Sequence, residues 1–208
     1  MIVVCSVHAD DGIFSCGEFI ARQLDHGEPV TVLSLCSIPP GWVSAEDQNW
    51  QDQLNVEHLA ACNSLGALPA FGGFVDGKWL RSRYGREDTA VLERVLSFLS
   101  PTAVLIPLGI GHTDHHYFAE LLEPVAKALP CRVAVFEDLP YRVMYPEEAA
   151  ERRSALVRRT SPGLEPTGNG GYLVQKLAAC RKYVSQWTEP DGDAVRCCSA
   201  PERIWWCR

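Results

Sequence analysis

Met1-Ile2-Val3-Val4-Cys5-Ser6-Val7-His8-Ala9-Asp10-Asp11-Gly12 opens the chain, and its reading decides the architecture. Residues 2–7 carry no charge and do not alternate between apolar and polar, the pattern of a strand covered on both faces. Such strands belong to parallel sheets flanked by helices, and open α/β sheets hold their ligands in the crevice beyond the carboxyl ends of the strands. His8, Asp10 and Asp11 stand at that end. One imidazole and two carboxylates within four residues can supply metal ligands and leave beside them a carboxylate free to act as a base. Both aspartates also suit the cap of a following helix.

A second cluster about a hundred residues later has the same layout. Residues 102–108, Thr-Ala-Val-Leu-Ile-Pro-Leu, read as another buried strand, and Gly109-Ile110-Gly111 leads into His112-Thr113-Asp114-His115-His116 at the head of an amphipathic run, residues 117–129. In a parallel sheet the carboxyl ends of the strands lie on one edge, so the two clusters are expected to converge on one crevice. Gly109-Ile110-Gly111 is turn chemistry and no dinucleotide fingerprint, since the third glycine is missing. His116 reads as a helix residue pointing away, and His26 and His58 lie in ordinary helical stretches without assigned chemistry.

Outward from these clusters the elements alternate. Residues 16–26 read as a helix closed by Gly27, and residues 30–35 as the next strand, completing a βαβ unit. Residues 37–49, with Pro39-Pro40-Gly41, read as a loop over the site; 50–64 as a helix; 70–74 as a short strand; 88–98 as a helix; 132–136 as a strand; 161–171 as a loop; 172–187 as a helix. The pattern predicts an α/β fold with a doubly wound sheet. The crevice should be rimmed by residues 38–50 and 77–86, which offer Trp42, Trp50, Trp79, Arg81 and Arg83.

Composition narrows the function. The 208 residues suit one domain, and 47% hydrophobic with 22% charged is ordinary for a globular protein. A formal charge of -7 with no basic run argues against nucleic acid as a partner. Arg152-Arg153 and Arg158-Arg159 suit a solvated helix face. The apolar run at the amino terminus lacks a charged flank and is too short for a signal peptide or membrane helix, so no membrane partner is expected and cytoplasm is the expected location. Of nine cysteines, Cys5, Cys16, Cys36, Cys62, Cys131 and Cys180 are scattered through apolar segments and read as core packing. Cys197, Cys198 and Cys207 cluster near the end without the C-x-x-C spacing of a structural metal site. Trp205-Trp206 reads as a core anchor, and the sequence leaves a homo-oligomer open.

A strand ending in His-x-Asp-Asp and a downstream His-x-Asp-His at a helix start resemble the LmbE-like or PIG-L-type zinc-dependent N-deacetylases, which act on acetylated amino sugars and related amides. Further stretches are similar to that family: Phe14-Ser15-Cys16-Gly17; Glu57, eight residues before Leu65-Gly66; Phe136-Glu137-Asp138-Leu139-Pro140-Tyr141; K-x-x-A-x-x-x-Y-x-S-Q across residues 176–186; and Pro201-Glu202-Arg203-Ile204-Trp205. The resemblance spans nearly the whole chain. Ala9 and Gly12 depart from the family's usual proline and acidic residue without removing a ligand, while Leu54 stands where the family often has a substrate-binding arginine.

The resemblance implies a single Rossmann-like three-layer domain over residues 1–208 with a mostly parallel sheet, and a mononuclear zinc site hydrolysing an N-acylated small molecule. His8, Asp11 and His115 would be the metal ligands, leaving a position for water; Asp10 would be the base. His112 would join the zinc in stabilising the oxyanion, with Asp114 orienting and charging the His112 ring, and Asp10 or His112 would protonate the leaving amine. Substrate-binding residues stay unassigned. Two rivals keep the fold: a deacylase of a small peptide or natural-product amide, and a binding module without turnover.

Overall fold

The structure, a computed structural model, describes residues 1–79, 87–160, 171–186 and 198–207. Six strands form one sheet in the order β3-β2-β1-β4-β5-β6, with β1 Ile2–Ser6, β2 Val30–Ile38, β3 Leu68–Val75, β4 Ala103–Pro107, β5 Arg132–Phe136 and β6 Ile204–Cys207. The first five run parallel and β6 is antiparallel to β5. The helices are α1 Asp11–Asp25, α2 Ala45–Leu65, α3 Glu87–Leu99, α4 Thr113–Ala128, α5 Tyr141–Met144, α6 Pro146–Arg159 and α7 Leu173–Cys180, with a 3-10 turn at Gly77–Trp79.

Strand β1 lies between β2 and β4, with Ile2 opposite both Val30 and Ala103, and Val4 opposite both Val32 and Leu105. The strand order reverses there, and in doubly wound sheets that switch point opens the ligand crevice. The uniform apolarity of β1 has its cause in the two cores. Ile2 and Val4 pack with Phe14, Ile20, Leu54 and Tyr183 under α1 and α2, while Val3, Cys5 and Val7 pack with Leu92, Leu96, Phe118 and Leu122 under α3 and α4. Neither face meets water.

Several elements differ from expectation. Helix α1 begins at Asp11, five residues before the predicted start, because Gly12 fits tightly onto β1: its N–H donates to Ser6 Oγ at 2.6 Å, and a Cβ there would lie 3.1 Å from Ser6. Helix α2 begins at Ala45, capped by Ser44 Oγ accepting from Asp47 N at 3.1 Å, which shortens the predicted loop at 37–49. Helix α7 stops at Cys180 and Tyr183 turns into the core instead of continuing the helix toward residue 187. Trp205 and Trp206 lie on β6, an edge strand the sequence reading did not foresee. Cys131 is half-buried, unlike the other five scattered cysteines, which are buried; Cys198 and Cys207 are buried as well. Cys197, Trp187 and residues 161–170 lie outside the described residues. Among the described residues no helix is long and apolar enough to cross a membrane.

Candidate metal centre

Two adjacent strands deliver the cluster. His8 leaves the carboxyl end of β1, Asp10 takes the cap position of α1 without a side-chain cap bond, and Asp11 lies in the first turn, its Oδ2 accepting from the His8 N–H at 2.7 Å. From β4 the chain passes through Gly109 and Gly111, at φ 84° and 80°, a left-handed conformation that glycine adopts without strain. A Cβ at Gly109 would meet Ala119 Cβ at 2.7 Å, so this close passage onto α4 also needs glycine. His112 caps α4 by accepting from Asp114 N at 3.3 Å, and Asp114 and His115 follow in the first turn.

The two clusters meet as the sequence predicts. Asp11 Oδ2 lies 3.3 Å from His8 Nδ1 and 3.1 Å from His115 Nε2, and ligand atoms of the three residues lie within 4.8 Å of one another. Donors that share a tetrahedral zinc at 2.0–2.1 Å stand about 3.3 Å apart, so these separations fit such an ion. His115 Nε2 is fully buried, and its close polar neighbour is Asp11 Oδ2 at 3.1 Å, an ion-pair distance without good hydrogen-bond geometry. A cation placed between Asp11, His8 and this nitrogen would satisfy all three donors at once. The donor set of one carboxylate and two imidazoles suits zinc.

Second partners fix the rings. Asp138, at the carboxyl end of β5, accepts from His115 Nδ1 at 2.7 Å and from the Gly109 N–H at 2.9 Å, which leaves Nε2 as the nitrogen turned toward Asp11 and able to take a metal. Asp114 Oδ2 lies 3.3 Å from His8 Nε2 and 3.9 Å from His112 Nδ1, and accepts from Gly77 N at 2.8 Å. Asp76, at the end of β3, brings its Oδ2 to 3.8 Å from His8 Nε2. The Tyr141 ring stands edge-on to His115 with centroids 4.7 Å apart. Asp76, Asp138 and Tyr141 received no role from the sequence. The signal that singled out His8 and His112, polar residues beyond a buried strand, was present for Asp138 beyond β5, whereas β3 before Asp76 is largely exposed or half-buried.

The charges divide the carboxylates. Burial alone would raise Asp11, but His115 and His8 hold it well below the usual carboxylate range. Burial, and then the negative charge of Asp11, push its neighbour Asp10 up to about 7. Burial would depress His115, yet Asp11 and Asp138 on its two nitrogens push it up to about 9, and His8 is raised for the same reason by Asp11 and Asp114. Burial and the nearby His8 lower His112. One aspartate is therefore held as a permanent anion, and the next is poised to exchange a proton near neutrality.

Among the predicted rim residues, Trp50 and Trp79 meet edge-on with centroids 6.0 Å apart, and Lys78 Nζ sits 3.0 Å from the centroid of the Trp50 ring. Trp42 is exposed, and Arg81 and Arg83 lie outside the described residues. His116 pairs with Glu148 at 2.6 Å instead of pointing freely away. His58 is buried with Nδ1 2.9 Å from the Ala9 carbonyl, which also accepts from Tyr183 OH at 2.7 Å, so α2 and the segment after α7 grip the backbone between His8 and Asp10. Glu57 accepts from Ser185 N at 2.9 Å, and Leu54 is buried.

Neither a family model nor a curated protein matches this sequence. Solved structures do. A deacetylase of the teicoplanin biosynthesis pathway aligns at 18% identity over 99% of this chain and 96% of its own, with a TM-score of 0.76. The A40926 pseudoaglycone deacetylase Dbv21 aligns at 22% over 99% and 96%, TM-score 0.73, and N,N'-diacetylchitobiose deacetylase from Pyrococcus horikoshii at 18% over 91% and 71%, TM-score 0.59. Teicoplanin deacetylase has also been solved in a zinc-inhibited form. More distantly, a 4-carboxy-2-hydroxymuconate hydratase aligns at 16% over 99% and 94%, TM-score 0.54, so one architecture carries more than one reaction. At these identities the likeness establishes the fold: this chain is built as a six-stranded, mostly parallel three-layer α/β domain of the kind those deacetylases share.

Proposed function

We propose that the chain is a zinc-dependent hydrolase that removes an acetyl or other small acyl group from the nitrogen of an N-acylated amino sugar or glycoconjugate. The observation that carries this reading is the convergence of His8, Asp11 and His115 on one point, with the buried Nε2 of His115 turned to Asp11 and Asp10 beside them without a side-chain cap bond. The similar structures include deacetylases named for teicoplanin, for the A40926 pseudoaglycone and for diacetylchitobiose, which supports amide hydrolysis on glycosylated substrates over hydration.

His8, Asp11 and His115 would hold the metal, with Asp138 and Asp114 fixing the two rings. Bound there, zinc supplies a Lewis acid that polarises the acyl carbonyl and brings a water near neutral acidity. Asp10, pushed up to about 7, takes the proton of the attacking water. The bond to the acyl carbon forms as that proton leaves, and His112, at the half-exposed side of the crevice, meets the developing oxyanion. Collapse breaks the C–N bond, and the proton on Asp10, or one on a charged His112, goes to the leaving amine. The products are a free amine and a carboxylate.

A second reading keeps this chemistry and changes the acceptor to a peptide or natural-product amide. It is favoured by the buried Leu54, an apolar side chain where the resembling family often has its arginine. A module without turnover is the weaker reading, since His8, Asp10, Asp11, His112, Asp114 and His115 are all present. We also place the chain in the cytoplasm, the described cysteines all being free as a reducing compartment keeps them. The test is acetate release from a panel of N-acetyl sugars, glycopeptides and acyl peptides, with and without chelator. Chelator-sensitive release from the sugars and glycopeptides is expected; release from peptides alone would move the assignment to the second reading, and none from any substrate with zinc bound would overturn both.

A further inference from the structure

Helices α4 and α6 both lie over β4 and β5, and between them is a cavity of about 420 Å³ lined by none of the groups assigned to the metal centre. Its floor is apolar: Ile106 and Leu108 from the end of β4, Val135 from β5 and Leu156 from α6, each at most 6% exposed. The helices bring Ala119 and Ala155 to the gap, side chains too short to close it. Protein interiors leave few voids larger than a water molecule, whereas ligand sites are apolar hollows of a few hundred Å³ with a small number of polar groups. This hollow has the second character.

The charges at its edge leave one place for an anion. Glu123 is answered twice, by Lys127 at 2.7 Å and by Arg159 at 3.2 Å. Arg158 and Glu120 are exposed at the mouth with no ion-pair partner among the described residues, and their opposite charges offset each other there. Arg152 is half-buried and held still. Its Nε donates to Glu148 Oε1 at 3.1 Å, and Glu148 is fixed in turn by the Gly111 N–H at 3.1 Å and by His116 Nε2 at 2.6 Å. Its NH1 reaches only the Leu108 carbonyl, at the long distance of 3.5 Å. A guanidinium with N–H groups to spare, oriented beforehand beside apolar surface, is matched by a carboxylate, which takes two parallel hydrogen bonds.

We propose that this cavity is a second ligand site, for a small monocarboxylate with an apolar tail of the size of a medium-chain fatty acid, its carboxylate on Arg152 and its tail over Ile106, Val135 and Leu156. The lining argues against other classes. A sugar would leave hydroxyls unpaired over apolar side chains, an amine would face Arg152, and a second carboxylate would meet either the apolar floor or Glu120. The site stands apart from the metal and does not depend on the reaction proposed above.

Radiolabelled octanoate, dialysed to equilibrium against the protein as purified, tests this. Saturable binding is expected, half-complete below about a millimolar, with neither acetate nor octylamine displacing the label as unlabelled octanoate does. Arg152→Gln removes the cation and Ala155→Phe fills the hollow, and each should weaken binding by about tenfold or more. Octanoate held equally well by both variants, as it would be if it sat on the metal, overturns the proposal. So does the absence of saturable binding through the millimolar range, or displacement by octylamine as effective as by octanoate. Octanoate carrying a diazirine at its tail gives a readout that needs no variant to fold: light should attach it to peptides of α4, α6, β4 or β5, and labelling confined to other elements overturns the site.

Discussion

At the residue scale the site separates groups that hold charge from groups that move it. Purified protein should carry about one tightly held zinc, and His8→Ala or His115→Ala should lose most of it, as elemental analysis would show. Asp10→Asn should keep the metal and lose at least about a hundredfold in kcat, the scale for a removed base, whereas Asp11→Asn should lose the metal itself. The reverse pattern would exchange the roles of the two aspartates. Asp138 stands behind the proposed ligand set, and its 2.7 Å bond to His115 Nδ1 leaves Nε2 as the nitrogen available to the ion. Asp138→Asn should therefore weaken zinc by about ten- to a hundredfold in a chelator competition, with the fold retained. Equal affinity would show that the ring is held by packing against Tyr141 instead.

At the element scale the site depends on how closely helices approach the strands. Helix α1 follows β1 after only residues 7–10, and farther along Gly17 receives the Lys176 stem from α7, where a Cβ would fall 2.6 Å from Lys176 Cγ. Lys176 is fully buried with Nζ 3.0 Å from Glu202 Oε1, so the stem has little freedom to retreat. Gly17→Ala should destabilise by about 1–3 kcal/mol, the usual cost of overpacking, read as a lower denaturant midpoint with an unchanged slope. Much of this scale was legible in sequence. The predicted β5 coincides with the observed strand, and β1, β2 and β4 fall within three residues of their expected ends, because apolar runs bounded by turn residues are local signals. The start of α1 was misplaced because it depends on a contact between Gly12 and Ser6 that no periodicity reports.

At the scale of the whole molecule, the centre links stability to pH and metal. Without metal, His115 is raised to about 9 by Asp11 and Asp138. A base whose folded value lies above its unfolded one stabilises fully below the unfolded value and loses that contribution as pH climbs through the folded one. The metal-free protein should thus lose up to about 3 kcal/mol between pH 6.5 and 9, whereas a bound cation needs the imidazoles neutral and removes the slope. Thermal midpoints with chelator and with one equivalent of zinc, at pH 7, 8 and 9, check this. Equal slopes in the two forms would count against a metal held by His115.

The sequence by itself determined that two buried strands end in histidine and aspartate, that helices follow them, and that parallel pairing would bring those ends to one edge. Each of these rests on residue type and period, which are properties of neighbours along the chain. Only the tertiary structure decided which groups meet. Asp114, two residues from His112, lies closer to His8, at 3.3 Å against 3.9 Å, and Asp76 and Asp138 join from β3 and β5. The reason is that a side chain's direction follows from its backbone angles and from the order of strands in the sheet, and that order is set by packing energy summed over both cores.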